Sequence, residues 1–281
     1  MNPFIDSIQK ALETHIKSAV SPLLAHADVF RARAAIPVTS DPKLLLARHL
    51  TSLIAISGNR PLFIPSFNYD FTSTRIYSPT HDVSQVGALS EHARNLWKSS
   101  RCGPPIFNFT CNKQTGSLLQ SSGHVDPFGT NTVFGLLHRE SGKVIMYGAP
   151  FSSFTFLHYI ERLTGGPAYR YDKLFKGVVK GEDGSEIPVS LNYHCRPKGK
   201  ALEYDWLKLR SDAESQGIVL SFKAPGSEVL LIDIPMICQF WLDKLHRDPL
   251  YLLSDDSRAW VYLELNRLGR RFIVSDFEAD S

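Results

Sequence analysis

Residues 143–163 read Lys143-Val144-Ile145-Met146-Tyr147-Gly148-Ala149-Pro150-Phe151-Ser152-Ser153-Phe154-Thr155-Phe156-Leu157-His158-Tyr159-Ile160-Glu161-Arg162-Leu163. The apolar run over 143–149 predicts a buried strand. Pro150 closes it, and Ser152 or Ser153 is placed to cap a helix over 154–164. Strand, polar turn and helix in immediate succession are the unit of an α/β sheet with helices on its faces. Such sheets gather functional groups where strands end and helices begin. His158 falls about one turn into that helix. Thr155 precedes it by three residues and Glu161 follows by three, so each neighbours it on the helix surface.

Working outward, the same unit recurs. Phe4, Ile5, Ile8, Leu12, Ile16, Ala19, Val20, Leu23 and Leu24 predict an amphipathic N-terminal helix, ended or bent at Pro22. Ser40-Asp41-Pro42 opens a helix over 43–57, stopped by Gly58-Asn59. Residues 61–65 form a short strand that delivers Ser66 to Phe71 onto a loop. Ser84 to Gly87 opens a helix ending near Trp97, and alternation predicts a strand over 106–109. A polar loop spans 112–131, and Asn131-Thr132 cap a helix through His138. The last third changes character: a hairpin over 177–197 turning at 181–184, then helices near 204–216, 235–247 and 254–268. An acidic tail over 276–281 is expected to fray.

Composition narrows the function. The 281 residues carry 31 Lys plus Arg against 28 Asp plus Glu, a net charge of +3. That is too small and too evenly spread for a nucleic-acid footprint. No run of 18 apolar residues predicts a membrane span. Asp6, Lys10, Glu13 and Lys17 interrupt any apolar leader in the first 24 residues. Cys102, Cys111, Cys195 and Cys238 lie far apart and form no CxxC pair, which argues against a disulfide framework or a structural zinc. The expectation is a reduced, cytoplasmic protein. The N-terminal helix and apolar C-terminal helices are compatible with a homodimer.

The chemistry centres on His158. An amine must lose a proton to attack an acyl carbon, and imidazole titrates in the right range to take it. Glu161 on one ring nitrogen would fix the tautomer and stabilise the imidazolium. Asp126 is the alternative acid, and Thr155 would orient the base or bind substrate. The competing reading is a buried histidine satisfied by a neighbour on its own helix. Pro127 to Thr132 lead into a helix whose N-terminus could hold a phosphate or a developing oxyanion. Ser66, Tyr69 and Asp70 follow a strand end. Arg101 and Arg170 could meet phosphates. No histidine adjoins Cys102 or Cys111, so acyl transfer through cysteine is not expected. His124, His138 and Asp126 lack metal-ligand spacing, so no metal is expected.

Several segments together resemble the aminoglycoside 3-N-acetyltransferase family over residues 28–272. They are Pro65-Ser66-Phe67-Asn68-Tyr69, Val86-Gly87-Ala88-Leu89-Ser90-Glu91, and Pro127-Phe128-Gly129-Thr130-Asn131-Thr132. The most specific is Gly148-Ala149-Pro150 with Thr155-x-x-His158-x-x-Glu161 and Tyr169-Arg170-Tyr171. Residues 191–209 resemble members from glycan and antibiotic biosynthesis clusters. Two motifs depart from the family pattern. Arg31-Ala32-Arg33-Ala34 stands in place of a His-Ser-Ser-like turn, and Arg101-Cys102-Gly103-Pro104-Pro105 in place of Arg-Ser-x-His-Pro.

The resemblance implies a three-layer α/β/α core with a mixed sheet, plus a C-terminal hairpin and helices. It divides the chain into an N-terminal helix (1–27), one acyltransferase domain (28–272, with a catalytic core over 28–175 and a hairpin and helical portion over 176–272) and a tail (273–281). It implies acetyl-coenzyme A as co-substrate and direct attack by a primary amine. His158, Glu161, Thr155 and Asp126 would be catalytic. Phe128, Gly129, Thr130, Thr132, Ser66 and Arg101 would meet the coenzyme, and Tyr69, Asp70, Asn108 and Arg170 the acceptor. Resistance enzymes collect polycations, which favours acidic clefts. A chain of pI about 8.6 fits an amino sugar, nucleotide-linked, better than an aminoglycoside. A non-catalytic binding protein on the same fold is the third alternative.

Overall fold

The computed structural model describes residues 2–15, 21–37, 39–97, 100–113 and 123–278. In chain order the elements are α1 (Pro3–His15), β1 (Leu23–Ala27), α2 (Pro42–Ser57), β2 (Leu62–Pro65), α3 (Phe71–Thr74), β3 (Ile76–Tyr77), α4 (Ala88–Leu96), β4 (Arg101–Cys102), β5 (Phe109–Cys111), β6 (Gly123–Val125), α5 (Val133–Arg139), β7 (Lys143–Tyr147), α6 (Leu157–Leu163), β8 (Tyr171–Lys180), β9 (Glu186–Cys195), α7 (Trp206–Ser215), β10 (Val219–Ala224), β11 (Ser227–Asp233), α8 (Ile234–Arg247) and α9 (Asp255–Leu268).

Seven strands form a mixed sheet in the order β10-β11-β7-β1-β2-β5-β4. β1 runs parallel to both β7 and β2, and the other neighbours are antiparallel. The strand period of two divides its side chains between two cores. Leu23, Ala25, Leu62, Ile64, Ile145, Tyr147, Val229 and Leu231 face one side, with Ile5, Ile8 and Leu12 of α1, Leu50, Leu53 and Ile56 of α2, and Leu89 and Ala93 of α4. Leu24, Phe63, Phe109, Val144, Met146, Leu230 and Ile232 face the other, against α5, α6, α8 and a second sheet. That second sheet is β3-β8-β9-β6. The result is the expected three-layer α/β core.

Local signals account for much of this. Asp41 caps α2 by accepting from the Lys43 and Leu44 amides, with Pro42 in the first turn. Thr132 caps α5 through Gly135 N–H. Among the described residues no helix is long and apolar enough to cross a membrane.

Several expectations need correction. Leu23 and Leu24 belong to β1 at the centre of the sheet, not to the N-terminal helix; α1 is described over Pro3–His15, and Ile16, Ala19 and Val20 lie outside the described residues. A strand buried on both faces carries a continuous apolar run, which cannot be told from a helix by periodicity. A boundary at residue 27 therefore cuts off a central strand of the domain. The strand expected at 106–109 is displaced to β5, because Ile106 takes a left-handed φ of 74°. Part of the loop expected over 112–131 is β6, paired parallel with β9, and residues 114–122 lie outside the described residues. The hairpin is longer than 177–197 suggests, with Tyr171 opposite Cys195. The β10–β11 hairpin is an addition to the elements expected from sequence. At the tail, Glu278 is bound by Tyr171 at 2.8 Å and by Lys173, so docking reaches that residue.

Candidate active site

The site forms where β7 ends. Gly148 turns the chain at φ +69°, and a Cβ there would lie 2.4 Å from the Asp28 carbonyl oxygen. Only glycine tolerates both demands. Phe151–Ser153 then make one 3-10 turn, and α6 begins after Phe156 without a side-chain cap. This corrects the expected start at 154: Ser152 and Ser153 are exposed beside the site, and neither caps the helix. The early turn projects Thr155 and His158 to one side and buries Glu161 behind them.

Glu161 is fully buried and is the hub. Its Oε2 accepts from His158 Nδ1 at 2.9 Å. Its Oε1 accepts from the Tyr169 hydroxyl at 2.8 Å and the Tyr204 hydroxyl at 2.7 Å. Arg170 Nε approaches Oε2 at 3.3 Å, and His194 Nε2 lies 3.5 Å from the same oxygen. Arg170 also donates to the Tyr204 hydroxyl at 2.5 Å and the His194 carbonyl at 3.2 Å. Burial alone would push the Glu161 carboxyl up, but Arg170, His158 and His194 together hold it well below the usual range. It is therefore a permanent carboxylate.

His158 reaches the surface through a cleft, its side chain 16% exposed. With Nδ1 committed to Glu161, Nε2 is the free nitrogen. Burial pushes the imidazole down to about 4, Arg170 adds to that, and Glu161 opposes it. At neutral pH the ring is uncharged and able to accept a proton. Phe128 packs edge-on against it, ring centres 5.2 Å apart.

The cleft holds about 450 Å³, lined by Tyr69, Phe107, Phe128, Thr155, His158, Arg170, Tyr193, Arg196 and Trp206 among others. Thr155 and Tyr69 also line a neighbouring cleft of about 260 Å³ with His26, Phe67 and Ala149. The Thr155 hydroxyl meets His26 Nε2 at 3.2 Å. On the far side of the 148–153 segment, a third cleft of about 710 Å³ carries Arg31, Arg210, Lys223 and Glu228. A fourth is bordered by Gly87, Ala88 and Asp28.

The residues expected from sequence separate into groups. His158, Glu161, Thr155, Phe128, Tyr69 and Arg170 come together. Asp126 does not touch His158. It accepts from Arg162 Nε at 2.5 Å and from the Phe128 amide at 2.9 Å, so it shapes the Phe128 turn. Gly129, Thr130 and Thr132 do not line the cleft. The Gly129 carbonyl accepts from Thr132, the Thr130 carbonyl from Arg139, and Thr132 is buried as the cap of α5. Arg101 is spent internally on the Ser66 carbonyl, Pro79 carbonyl, Asp82 carbonyl and Asn108 side chain. Ser66 donates to Asn108 Oδ1 at 2.9 Å in the same buried knot. Ser66, Arg101 and Asn108 thus tie β2 to β5 and are not disposed to meet a ligand. Asp70 binds Asn68 and Gln85 beside the Tyr69 loop.

Tyr169, His194 and Tyr204 have no role that sequence reasoning assigns. They arrive from the loop before β8, from β9 and from the segment before α7. The only signal for them is the family-like run over residues 169–171 and 191–209.

With that geometry in view, comparison with known proteins is decisive. Residues 65–246 match the family model described as aminoglycoside 3-N-acetyltransferase. The chain belongs to this family. No curated protein sequence matches it. Solved structures share the fold at low identity. The aminoglycoside acetyltransferase AAC(3)-IVa apoenzyme has TM-score 0.61 and 18% identity, over 89% of this chain and 91% of that one. AAC-IIIb in its binary complex with CoASH has TM-score 0.64 and 15% identity, over 86% and 96%. The YokD protein from Bacillus subtilis has TM-score 0.61 and 15% identity, over 87% and 94%.

Proposed function

We propose that this acetyltransferase-family chain moves an acetyl group from acetyl-coenzyme A to a primary amine of an amino sugar, with His158 as general base. The observation that carries the reading is the neutral His158, held by a buried carboxylate and opening into a cleft that shares Thr155 with its neighbour. The neutral amine attacks the thioester carbonyl, forming the C–N bond. His158 Nε2 takes a proton from the nitrogen as positive charge develops there. The C–S bond then breaks, and the thiolate leaves with that proton as free thiol. Thr155, shared by two clefts, is suited to orient the reacting groups.

For coenzyme A the proposal favours a different place from the one expected. The α5 N-terminus is capped and its cap buried. The cleft beside α4 instead borders Gly87, a helix start without a side-chain cap. The exposed Arg31 and Lys223 flank the adjoining cleft. These would receive the phosphates.

The acceptor is a neutral or anionic amino sugar, a nucleotide-linked one fitting best. Among the described residues no carboxylate lines the 450 Å³ cleft; it offers Arg170, Arg196 and the rings of Tyr69, Phe107, Tyr193 and Trp206. Arginine with flat aromatic faces suits a phosphate and a base. The second reading, an aminoglycoside acceptor, is favoured by AAC(3)-IVa, a histidine-to-alanine variant of which is solved in complex with apramycin. The test is thiol release from acetyl-coenzyme A, with sugar nucleotides beside gentamicin- and kanamycin-class drugs and a His158→Ala control. Turnover on sugar nucleotides alone supports the proposal, and turnover on the drugs alone replaces the acceptor class. Turnover undiminished in His158→Ala removes the base assignment.

A further inference from the structure

His194 is a histidine that the reaction as described does not use. Its side chain is fully buried on β9. Neither ring nitrogen has a hydrogen-bond partner among the described residues. Yet each faces a carboxylate: Nε2 lies 3.5 Å from Glu161 Oε2, and Nδ1 lies 3.5 Å from Asp172 Oδ1. Asp172 is its directly opposite partner in the β8–β9 ladder, so the register places the two side chains on one face.

Packing alone does not explain this residue. A buried polar atom without a partner costs stability. A leucine would fill similar space with no such cost. What the imidazole adds is a polar bridge from the hub carboxylate outward. Arg162 donates to both oxygens of Asp172, at 2.8 and 3.0 Å, and to Asp126. Toward the cleft, Glu161 and Arg170 cancel. Behind His194, Asp126 and Asp172 face Arg162, with Arg271 beside them. His194 is the contact between the two groups. The contacts are about half an ångström longer than a hydrogen bond, a gap that catalytic networks close on substrate binding.

We infer that His194 is a positioning residue for the proton transfer, steering the Glu161 carboxylate onto His158 and linking it to the Asp172–Arg162–Asp126 cluster. It borders the cleft beside His158, and it acts through Glu161. The charged and titratable groups around it are Glu161, Arg162 and His158 on α6, Asp172 on β8, and Arg170 ahead of β8. Arg271 also approaches, sharing with His194 the space beside Gly166. The inference rests on the acetyltransferase reading for its kinetic arm only.

The test compares His194→Leu with His194→Gln, whose amide can still donate to Glu161. Leu is expected to hold or raise Tm while kcat falls on the order of tenfold, a share of what general-base catalysis supplies, with KM little changed. Gln is expected to keep most of kcat, and Asp172→Asn to fall between them. Opposite movement of stability and turnover is the signature that a merely structural residue would not give. Unchanged kcat in His194→Leu overturns the inference, as does a fall in Tm with equal losses in Leu and Gln. A second readout needs no turnover: the NMR proton resonance of His158 Nδ1–H should move in His194→Leu. An unmoved resonance overturns the inference even if no acceptor is found, whereas a wild type that never releases thiol defeats only the acetyltransferase reading.

Discussion

Glu161→Gln changes one atom and tests the whole site. The carboxylate receives two tyrosine hydroxyls on Oε1, and His158, Arg170 and His194 surround Oε2. In the variant the amide oxygen keeps the tyrosines, so its NH2 group must face His158. The ring can meet an N–H donor only by presenting a bare Nδ1, which moves its own proton to Nε2 and blocks the base. The equivalent tautomer error in a serine-protease triad costs about 10⁴ in kcat, and a loss of that order is expected here. Stability should fall as well, because Arg170 is left buried and unpaired. Breaking such a pair costs about 3–5 kcal/mol, or roughly 10 °C in Tm for a chain this size. The assay is thiol release alongside calorimetry, with Glu161→Gln/Arg170→Met as the second variant. The double variant should regain much of the stability and none of the turnover. A single variant within tenfold of wild-type kcat would refute the argument.

Three further outcomes follow from the same geometry. With His158 held near 4, log kcat/KM should rise with unit slope up to the acceptor amine's own value, about 8 if it resembles an α-amino group; a separate break near 6.5 would show that His158 titrates normally. Burial pushes His26, His49 and His158 each down to about 4, so the native state binds fewer protons than the unfolded chain between pH 6.5 and 4. Stability is then complete above pH 6.5 and falls with acid, by roughly 2 kcal/mol per histidine at pH 5, readable from urea midpoints at pH 7 and 5. Gly135→Ala places a Cβ 2.0 Å from the Thr130 carbonyl oxygen, a backbone clash expected to cost more than about 4 kcal/mol or to abolish folding, measured by circular dichroism on heating.

How much of this can be read from sequence depends on the range of the interaction. β7 and the His158–Glu161 pair are legible because both are local: one apolar run, one i,i+3 spacing. The α2 cap is legible for the same reason. β1 reads as helix because Leu23-Leu24-Ala25 is buried on both faces and has no period to read. β10 and β11 carry a usable signal, the Pro225-Gly226 turn with Gly226 at φ 68°, but it sits inconspicuously between two predicted helices. The site beyond α6 is not legible in chemical terms. Tyr169, Arg170, His194 and Tyr204 converge on Glu161 only because β8 and β9 pair in a register that sets Asp172 opposite His194. Arg101 shows the converse error: an arginine in a family-like position reads as a phosphate ligand until its donors are seen to be occupied.

Arg170 then bears on the charge state of the base. A buried Glu161 needs a counter-charge, and either His158 or Arg170 could supply it. If His158 did, it would carry a proton at rest and could not act as a base. Arg170 supplies the charge permanently and, after burial, is the second cause that keeps the imidazole neutral and makes it a weak acceptor. A weak base cannot efficiently strip a free ammonium. It can remove the far more acidic proton from the nitrogen of the tetrahedral intermediate, which suits direct attack by an amine that arrives neutral. The same guanidinium also faces the acceptor cleft, where Arg196 joins it and, among the described residues, no lining carboxylate opposes them. Glu161 balances Arg170, so the proposed preference for an anionic acceptor falls to Arg196, which a phosphate would meet favourably and a polycation would not.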